Sequence, residues 1–256
     1  MTSYDGFRVE RADKAATITL DVPGKMNRVA YAARGQLAAV FEELGADEAV
    51  RIVVLTGAGG NFTGGGDIAG FLEVSPEDLS VLHHDVAAPE RCPKPVIARI
   101  EGYCLGVGLE LALACDFRVA TESAELGLPE IGLGMIPGSG GTQRLARLAG
   151  LGRAKDVVMR RKRISAADAL AWGLVSEVVP EAELDRTIDT IIAELSELSP
   201  LALAVAKRVL NEAYEGPLRD GLALEGRAYG ELRTTHDFRE GVEAFVEKRA
   251  PNFEGR

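Results

Sequence analysis

A chain of 256 residues with 46% apolar residues, 5% aromatics and 29 glycines can fill one large core, or a core plus a helical extension. Its net charge of −10 disfavours a nucleic-acid partner, whose binding leaves a basic footprint. No run of 18 apolar residues is present and Met1 to Gly6 carries no basic-apolar leader, so a cytoplasmic protein with no membrane partner is expected.

Phe7 to Glu10 and Ala15 to Leu20 alternate and read as paired strands. Ala30 to Leu44 reads as a helix, with Leu37, Val40, Phe41 and Leu44 at helical spacing. Ile52 to Thr56 is a continuous apolar run typical of a strand buried on both faces. The glycine-rich Gly57 to Gly66 is loop. Val96 to Ile100 is the next strand, Gly102 to Ala114 turns into an apolar helix, and Phe117 to Ala120 and Glu125 to Leu128 are short strands.

Beyond Gly141 the pattern is helical over 142–148, 154–158, 166–172, 183–198, 200–214, 217–232 and 237–248. A strand-rich first half and a helix-rich last third divide the chain into an α/β core, residues 1–199, and a C-terminal helical region, residues 200–256.

Two acids stand alone in apolar runs. Glu110 is the only charge between Glu101 and Asp116, on a helix apolar all round and therefore buried. Such a carboxylate is costly unless it is paired or has a task. Its plain reading is a structural acid bonded to an arginine or to backbone. Glu130 lies within Leu126 to Pro137, and its plain reading is a turn or cap carboxylate. Two such acids in one chain fit general acid and base work with environment-tuned pKa values.

Glycine clusters precede three helices: Gly64-Gly65-Gly66, Gly106-Val107-Gly108 and Gly138-Ser139-Gly140-Gly141. Glycine lets a ligand approach backbone, and helix N-termini carry unpaired N–H donors. Two such donors aimed at one point make an oxyanion hole. Leu111 stands where the dinucleotide fingerprint starting at Gly106 needs a small residue. Ser139 has no histidine nearby in sequence for a Ser–His nucleophile. Cys92, Cys104 and Cys115 form no CxxC, and His83, His84 and His236 are scattered, so neither a disulfide framework nor a metal site is expected. His83 and His84 read as solvent-facing helix residues.

In this order the pieces resemble the enoyl-CoA hydratase/isomerase (crotonase) family. The stretches that carry the resemblance include Pro23-Gly-Lys-Met-Asn27, Asn61-Phe-Thr-Gly-Gly-Gly-Asp-Ile68, Gly106-Val-Gly-Leu-Glu-Leu-Ala112, Leu128-Pro-Glu-Ile131, Ile136-Pro-Gly-Ser-Gly-Gly-Thr-Gln-Arg144 and Phe245-Val-Glu-Lys-Arg249. They span nearly the whole chain.

The resemblance implies a crotonase-like α/β spiral of ββα turns, with a C-terminal helical trimerisation region that supports homotrimers or dimers of trimers. It also implies an acyl-CoA substrate, with coenzyme A part of that substrate and no further cofactor. By position, the N–H groups of Gly66 and Val107 match the oxyanion hole, and Glu110 and Glu130 match the two acids of the hydratases. Gly64, Gly65, Asp67 and Ile68 then fall in the substrate-binding loop, with Asp67 itself expected as a helix cap. Lys25 and Arg28 border the expected CoA site. Phe245 and Lys248 resemble a CoA-contacting pair donated by a neighbouring subunit. Residues Ile68 to Glu90, with Phe71, Leu72, Leu79, Leu82 and His83, are expected around the acyl tail.

Both acids being present favours hydration of a 2,3-enoyl-CoA. Isomerase, hydrolase, decarboxylase, aromatic-acyl lyase and non-catalytic acyl-CoA-binding subunit stay open as alternatives, since fold does not fix reaction.

Overall fold

The structure, a computed structural model, describes residues 1–256. Its large sheet begins with an antiparallel meander: β1 (Thr2–Tyr4), β2 (Phe7–Ala12) and β3 (Ala15–Leu20). It continues in parallel through β4 (Ile52–Gly57) and β5 (Val96–Ile100). A second sheet opens with β6 (Tyr103–Leu105). Strand β7 (Phe117–Thr121) returns to the large sheet, and β8 (Glu125–Gly127) to the small one. Strand β9 (Ile164–Ser165) completes the small sheet, and β10 (Glu177–Val179) forms the parallel edge of the large one.

Helices fill the spaces between. They are α1 (Tyr31–Ala46), three short helices α2 to α4 (Pro76–Ser80, Leu82–Val86, Ala88–Arg91), α5 (Val107–Ala114), α6 (Gly141–Ala149), α7 (Leu151–Met159), α8 (Ala166–Ala171) and α9 (Leu184–Ser196). The last three are α10 (Pro200–Asn211), α11 (Leu218–Leu232) and α12 (His236–Glu247). From β5 onward the chain visits the large sheet, then the small sheet, then a helix. That is the spiral of ββα turns.

The continuous apolar run in β4 follows from burial on both faces. Val53 and Leu55 pack into the main core with Phe41, Leu44 and Ala98. Ile52 and Val54 face the other way, against Leu184, Ile188 and Leu195 of α9. A strand between two apolar layers has no reason to alternate.

The C-terminal helices start where Pro200 opens α10 and Ser199 caps it, its hydroxyl accepting from Ala202 N–H. A buried lysine anchors this helix. Lys207 Nζ donates to Asp116 at 2.7 Å, to Pro89 O at 2.7 Å and to Lys94 O at 3.0 Å. Asp116 also accepts from Val96 N–H, so one carboxylate joins α10 to β5.

Two expectations are corrected. Residues 102–114 are not a turn leading straight into a helix. Tyr103–Leu105 pairs with β8 as a strand, and Gly106, at φ 56°, turns the chain so that helix α5 begins at Val107. Asp67 is not a helix cap. The short helix at Ala69–Glu73 is preceded by Ile68 with no side-chain cap, and the Asp67 carboxylate lies 3.6 Å from Arg28 instead. The two-residue and three-residue strands β1, β9 and β10 carry too few residues for a period to be legible.

Candidate active site

The site is built on a parallel bridge between Thr63 and Cys104, outside the ladders of either sheet's long strands. Thr63 N–H donates to Tyr103 O at 2.8 Å, and Leu105 N–H donates to Thr63 O at 3.1 Å. The two segments therefore run side by side in step. Three residues further along each lie Gly66 and Val107.

Both segments bend at a glycine in the left-handed region, Gly65 at φ 113° and Gly106 at φ 56°. The bends touch: a Cβ on Gly106 would lie 3.7 Å from Gly65 Cα. A non-glycine residue would be strained at either position. Gly66 also forms a parallel bridge with Val29, through Val29 N–H to Gly65 O at 2.9 Å and Asp67 N–H to Val29 O at 3.1 Å. That pairing spares the Gly66 amide itself. Val107 is the first residue of α5, so its N–H has no carbonyl one turn earlier within the helix. Two uncommitted donors thus lie on segments whose bends touch.

Asn27 secures the neighbouring loop. Its side chain accepts from Val22 N–H at 3.1 Å and donates to Ala58 O and Asn61 O, each at 2.8 Å. Met26 and Asn27 both have positive φ, and these three bonds from a 4% exposed side chain hold that conformation.

Glu110 lies one turn into α5 and is 2% exposed. Its Oε1 accepts from Ser139 N–H at 2.8 Å and Gly141 N–H at 2.9 Å. The third glycine cluster therefore directs its donors at Glu110 and not at a ligand. The lack of a side chain at Gly141 permits this, since a Cβ there would lie 3.0 Å from both Cγ and Oε1 of Glu110. Burial raises the Glu110 pKa; the two amides and the positive charges of Arg34 and Arg144 oppose the rise. With Oε1 held, any chemistry falls to Oε2.

Glu130 opens a short 3₁₀ turn, Glu130–Leu133. Its Oε1 is 3.1 Å from where a Gly106 Cβ would be, and its Oε2 is buried with no hydrogen-bond partner. Burial, reinforced by the negative charge of Glu110, pushes its pKa up to about 7. A buried carboxyl oxygen without a partner, on a group with a raised pKa, marks a candidate functional group. The arrangement thus offers two free amides, one clamped carboxylate and one carboxyl poised near neutrality.

Arg34 was not legible as a site residue, although one signal was present. It interrupts the apolar face of α1 that Ala33, Leu37, Ala38 and Phe41 form, and is itself only 4% exposed. Its guanidinium stacks over Phe71 at 5.1 Å, and its Nη2 is 3.0 Å from the position of a Gly66 Cβ.

The remaining expected residues disperse. Lys25, Arg28 and Asp67 line a separate 200 Å³ cavity with Val22 and Val29. Gly64 packs on Met26, and its N–H donates to Met26 O at 2.7 Å. Ile68 is 37% exposed. Phe245 is 84% exposed and lies in a hollow with Ala202, Leu232, Phe238 and Phe253, which neither Glu110 nor Glu130 lines. Lys248, at φ 57°, ends α12 beside it. Phe245 and Lys248 therefore reach no acyl-CoA site within their own chain. Of the expected tail residues, Phe71 adjoins Gly66, Leu82 is buried, and Leu72 is 89% exposed.

The largest cavity, 780 Å³, lies between α10 and the Gly138–Arg144 segment; neither acid lines it. His83 and His84 do line it, their rings 4.1 Å apart, and both are exposed as expected.

Residues 10–256 match the sequence profile described as Enoyl-CoA hydratase/isomerase. A short-chain-enoyl-CoA hydratase of Clostridium acetobutylicum is 37% identical over 246 residues, covering 94% of each chain. A crotonyl-CoA hydratase of Syntrophomonas wolfei is 35% identical over 98% of each. The crystal structure of an enoyl-CoA hydratase from Bacillus anthracis superposes with a TM-score of 0.92 at 38% identity, covering 98% of this chain and all of that one.

Proposed function

This chain belongs to the enoyl-CoA hydratase/isomerase family, and from that premise we propose that it adds water across the 2,3-double bond of an acyl-CoA thioester. The observation that carries this reading is the pair of carboxyls, Glu110 buried and Glu130 half-buried, with the charge of Glu110 near enough to raise the Glu130 pKa beside the bend that precedes Val107.

The thioester oxygen sits between the amides of Gly66 and Val107. Addition at the β-carbon drives charge onto that oxygen, and two fixed backbone donors stabilise it; losing one such donor typically costs about 3–4 kcal/mol. Glu110, its carboxylate form favoured by its two amide partners against the burial that raises its pKa, takes a proton from water through Oε2 as the oxygen bonds to the β-carbon. Glu130, protonated near neutrality, delivers a proton to the α-carbon and closes the enolate back to the thioester. The proton gained by Glu110 and the one lost by Glu130 balance, and the two acids act as one coupled system.

Coenzyme A enters as part of the substrate, and the chemistry calls for no other cofactor. In this reading Lys25 and Arg28 meet its phosphates, and Gly64, Gly65 and Ile68 lie along its path. Phe245 and Lys248 serve a neighbouring subunit's site, which a homotrimer or a dimer of trimers would supply. No helix is long and apolar enough to cross a membrane, which accords with a cytoplasmic enzyme.

The experiment is a panel of purified 2-enoyl-CoA thioesters, short, long, branched and aromatic, scored for water addition, isomerisation and hydrolysis. Formation of the 3-hydroxyacyl-CoA as main product is expected. Isomerised or hydrolysed product without hydration across the panel overturns the reading.

A further inference from the structure

Arg34 is a buried cation whose hydrogen-bonding capacity the protein leaves unmet. A guanidinium has five N–H donors in a planar fork. Here the residue is 4% exposed and its Nε is buried with no partner. Glu110 and Asp85 are near enough for their charges to act on it, but neither bonds to it. Glu110 Oε1 is committed to Ser139 and Gly141. One face of the guanidinium is covered by Phe71. An unsatisfied buried donor is costly, and more so when charged, so a structural role gives no account of it. A methionine would fill the space without the cost.

The location says what would complete it. Nη2 lies 3.0 Å from the Cβ position of Gly66, the residue whose amide holds the thioester oxygen in the reading above, on which this step rests. A group reaching Arg34 therefore branches off or ends only a few bonds from the thioester carbon. The fork is shaped for a carboxylate, bound by two parallel N–H···O bonds. We propose that Arg34 recognises a carboxylate at the end of a short acyl chain, so that the enzyme's substrates are CoA monothioesters of short dicarboxylic acids. Phe71 holds the guanidinium plane in place, and the cation offsets the repulsion that Glu110 exerts on an anionic acyl group.

The test measures binding, so it does not depend on turnover. Dissociation constants are measured by titration calorimetry for glutaryl-CoA and its neutral five-carbon counterpart valeryl-CoA, with adipyl-CoA and hexanoyl-CoA as the six-carbon pair. Wild type, Arg34→Met and Arg34→Lys are compared. Arg34→Met removes an orphaned buried charge and is expected to melt no lower than wild type. Wild type is expected to favour the carboxylate member of at least one pair by about 10-fold or more, the worth of a charge-assisted bond. Arg34→Met is expected to abolish that ratio, and Arg34→Lys to retain part of it. Equal affinities within both pairs for wild type overturn the proposal, as does a preference that survives in Arg34→Met. Hydration of neutral enoyl-CoA esters without a carboxylate preference leaves the hydratase reading standing and rejects this one.

Discussion

Thr63 and Cys104 pair as a parallel bridge, and that pairing sets the segment carrying Gly66 beside the one carrying Val107. The bridge is protected by a missing side chain. A Cβ on Gly108 would overlap Thr63 Cγ2, and Thr63 is fully buried, its hydroxyl accepting from Gly65 N–H at 3.0 Å. Gly108→Ala is expected to push the first turn of α5 away from the Gly65 bend. Overpacking of this kind costs about 1–3 kcal/mol, and displacing one donor by about an ångström costs on the order of 100-fold in rate. Urea titration and steady-state kinetics read the two effects separately. A variant with wild-type activity removes the bridge from the account.

Replacing either acid tests the division of labour. Glu110→Gln and Glu130→Gln are each expected to lower hydration by roughly 100-fold or more, as for loss of a general acid or base. Because both act on one water and one enolate, the double variant is expected to be little worse than the poorer single one. Losses that multiply in the double variant would show that the acids work independently.

Activity depends on pH through Glu130, with its pKa near 7. The proton donor is the protonated form, so kcat/KM is expected to fall as pH rises through about 7. The rising limb belongs to Glu110, above the usual carboxylate range because of burial. A pH–rate profile on the free enzyme checks both limbs. A plateau continuing well above pH 7 would assign Glu130 another role.

The same shift has a stability consequence of fixed sign. Between the ordinary glutamate pKa and about 7 the folded state binds more protons at Glu130 than the unfolded state does. Its contribution to stability therefore declines as pH rises across that window. Glu130→Gln removes this dependence. Its melting temperature is expected to exceed that of wild type at pH 8 and to approach it at pH 5, as calorimetry at several pH values would record.

Lys207 joins the C-terminal helices to the core through Asp116 and two carbonyls, at 8% exposure. Lys207→Met leaves the half-buried Asp116 without its cation and with only Val96 N–H as partner, at a cost of up to about 3 kcal/mol. The reduced stability should appear in denaturant titration. A loss below about 1 kcal/mol would mean that water replaces the lysine.

Several large apolar side chains are exposed on the single chain, among them Tyr229 at 66%, Val246 at 73% and Phe245 at 84%. Association of copies would bury them. Light scattering at micromolar concentration is expected to give a mass three or six times that of the chain, and a stable monomer would contradict it.

The sequence by itself determined the strong elements and both acids. Runs such as Ile52 to Thr56 are decided by burial on two faces, and a lone glutamate in the apolar Val107–Ala114 helix is conspicuous against its neighbours. These signals are local, because a few adjacent residues carry them. What only the tertiary structure decided is which groups meet. The segments that carry Gly66 and Val107 are set side by side by a bridge between Thr63 and Cys104, 41 residues apart in sequence. The Gly138–Gly141 donors go to Glu110 and not to a ligand. Asp67 turns to Arg28 and leaves the helix uncapped. Arg34 interrupts the apolar face of α1, but only the fold buries it beside Gly66. Hydrogen bonds and charge coupling depend on distances of a few ångströms, and those distances are set by packing between elements, which no local pattern encodes.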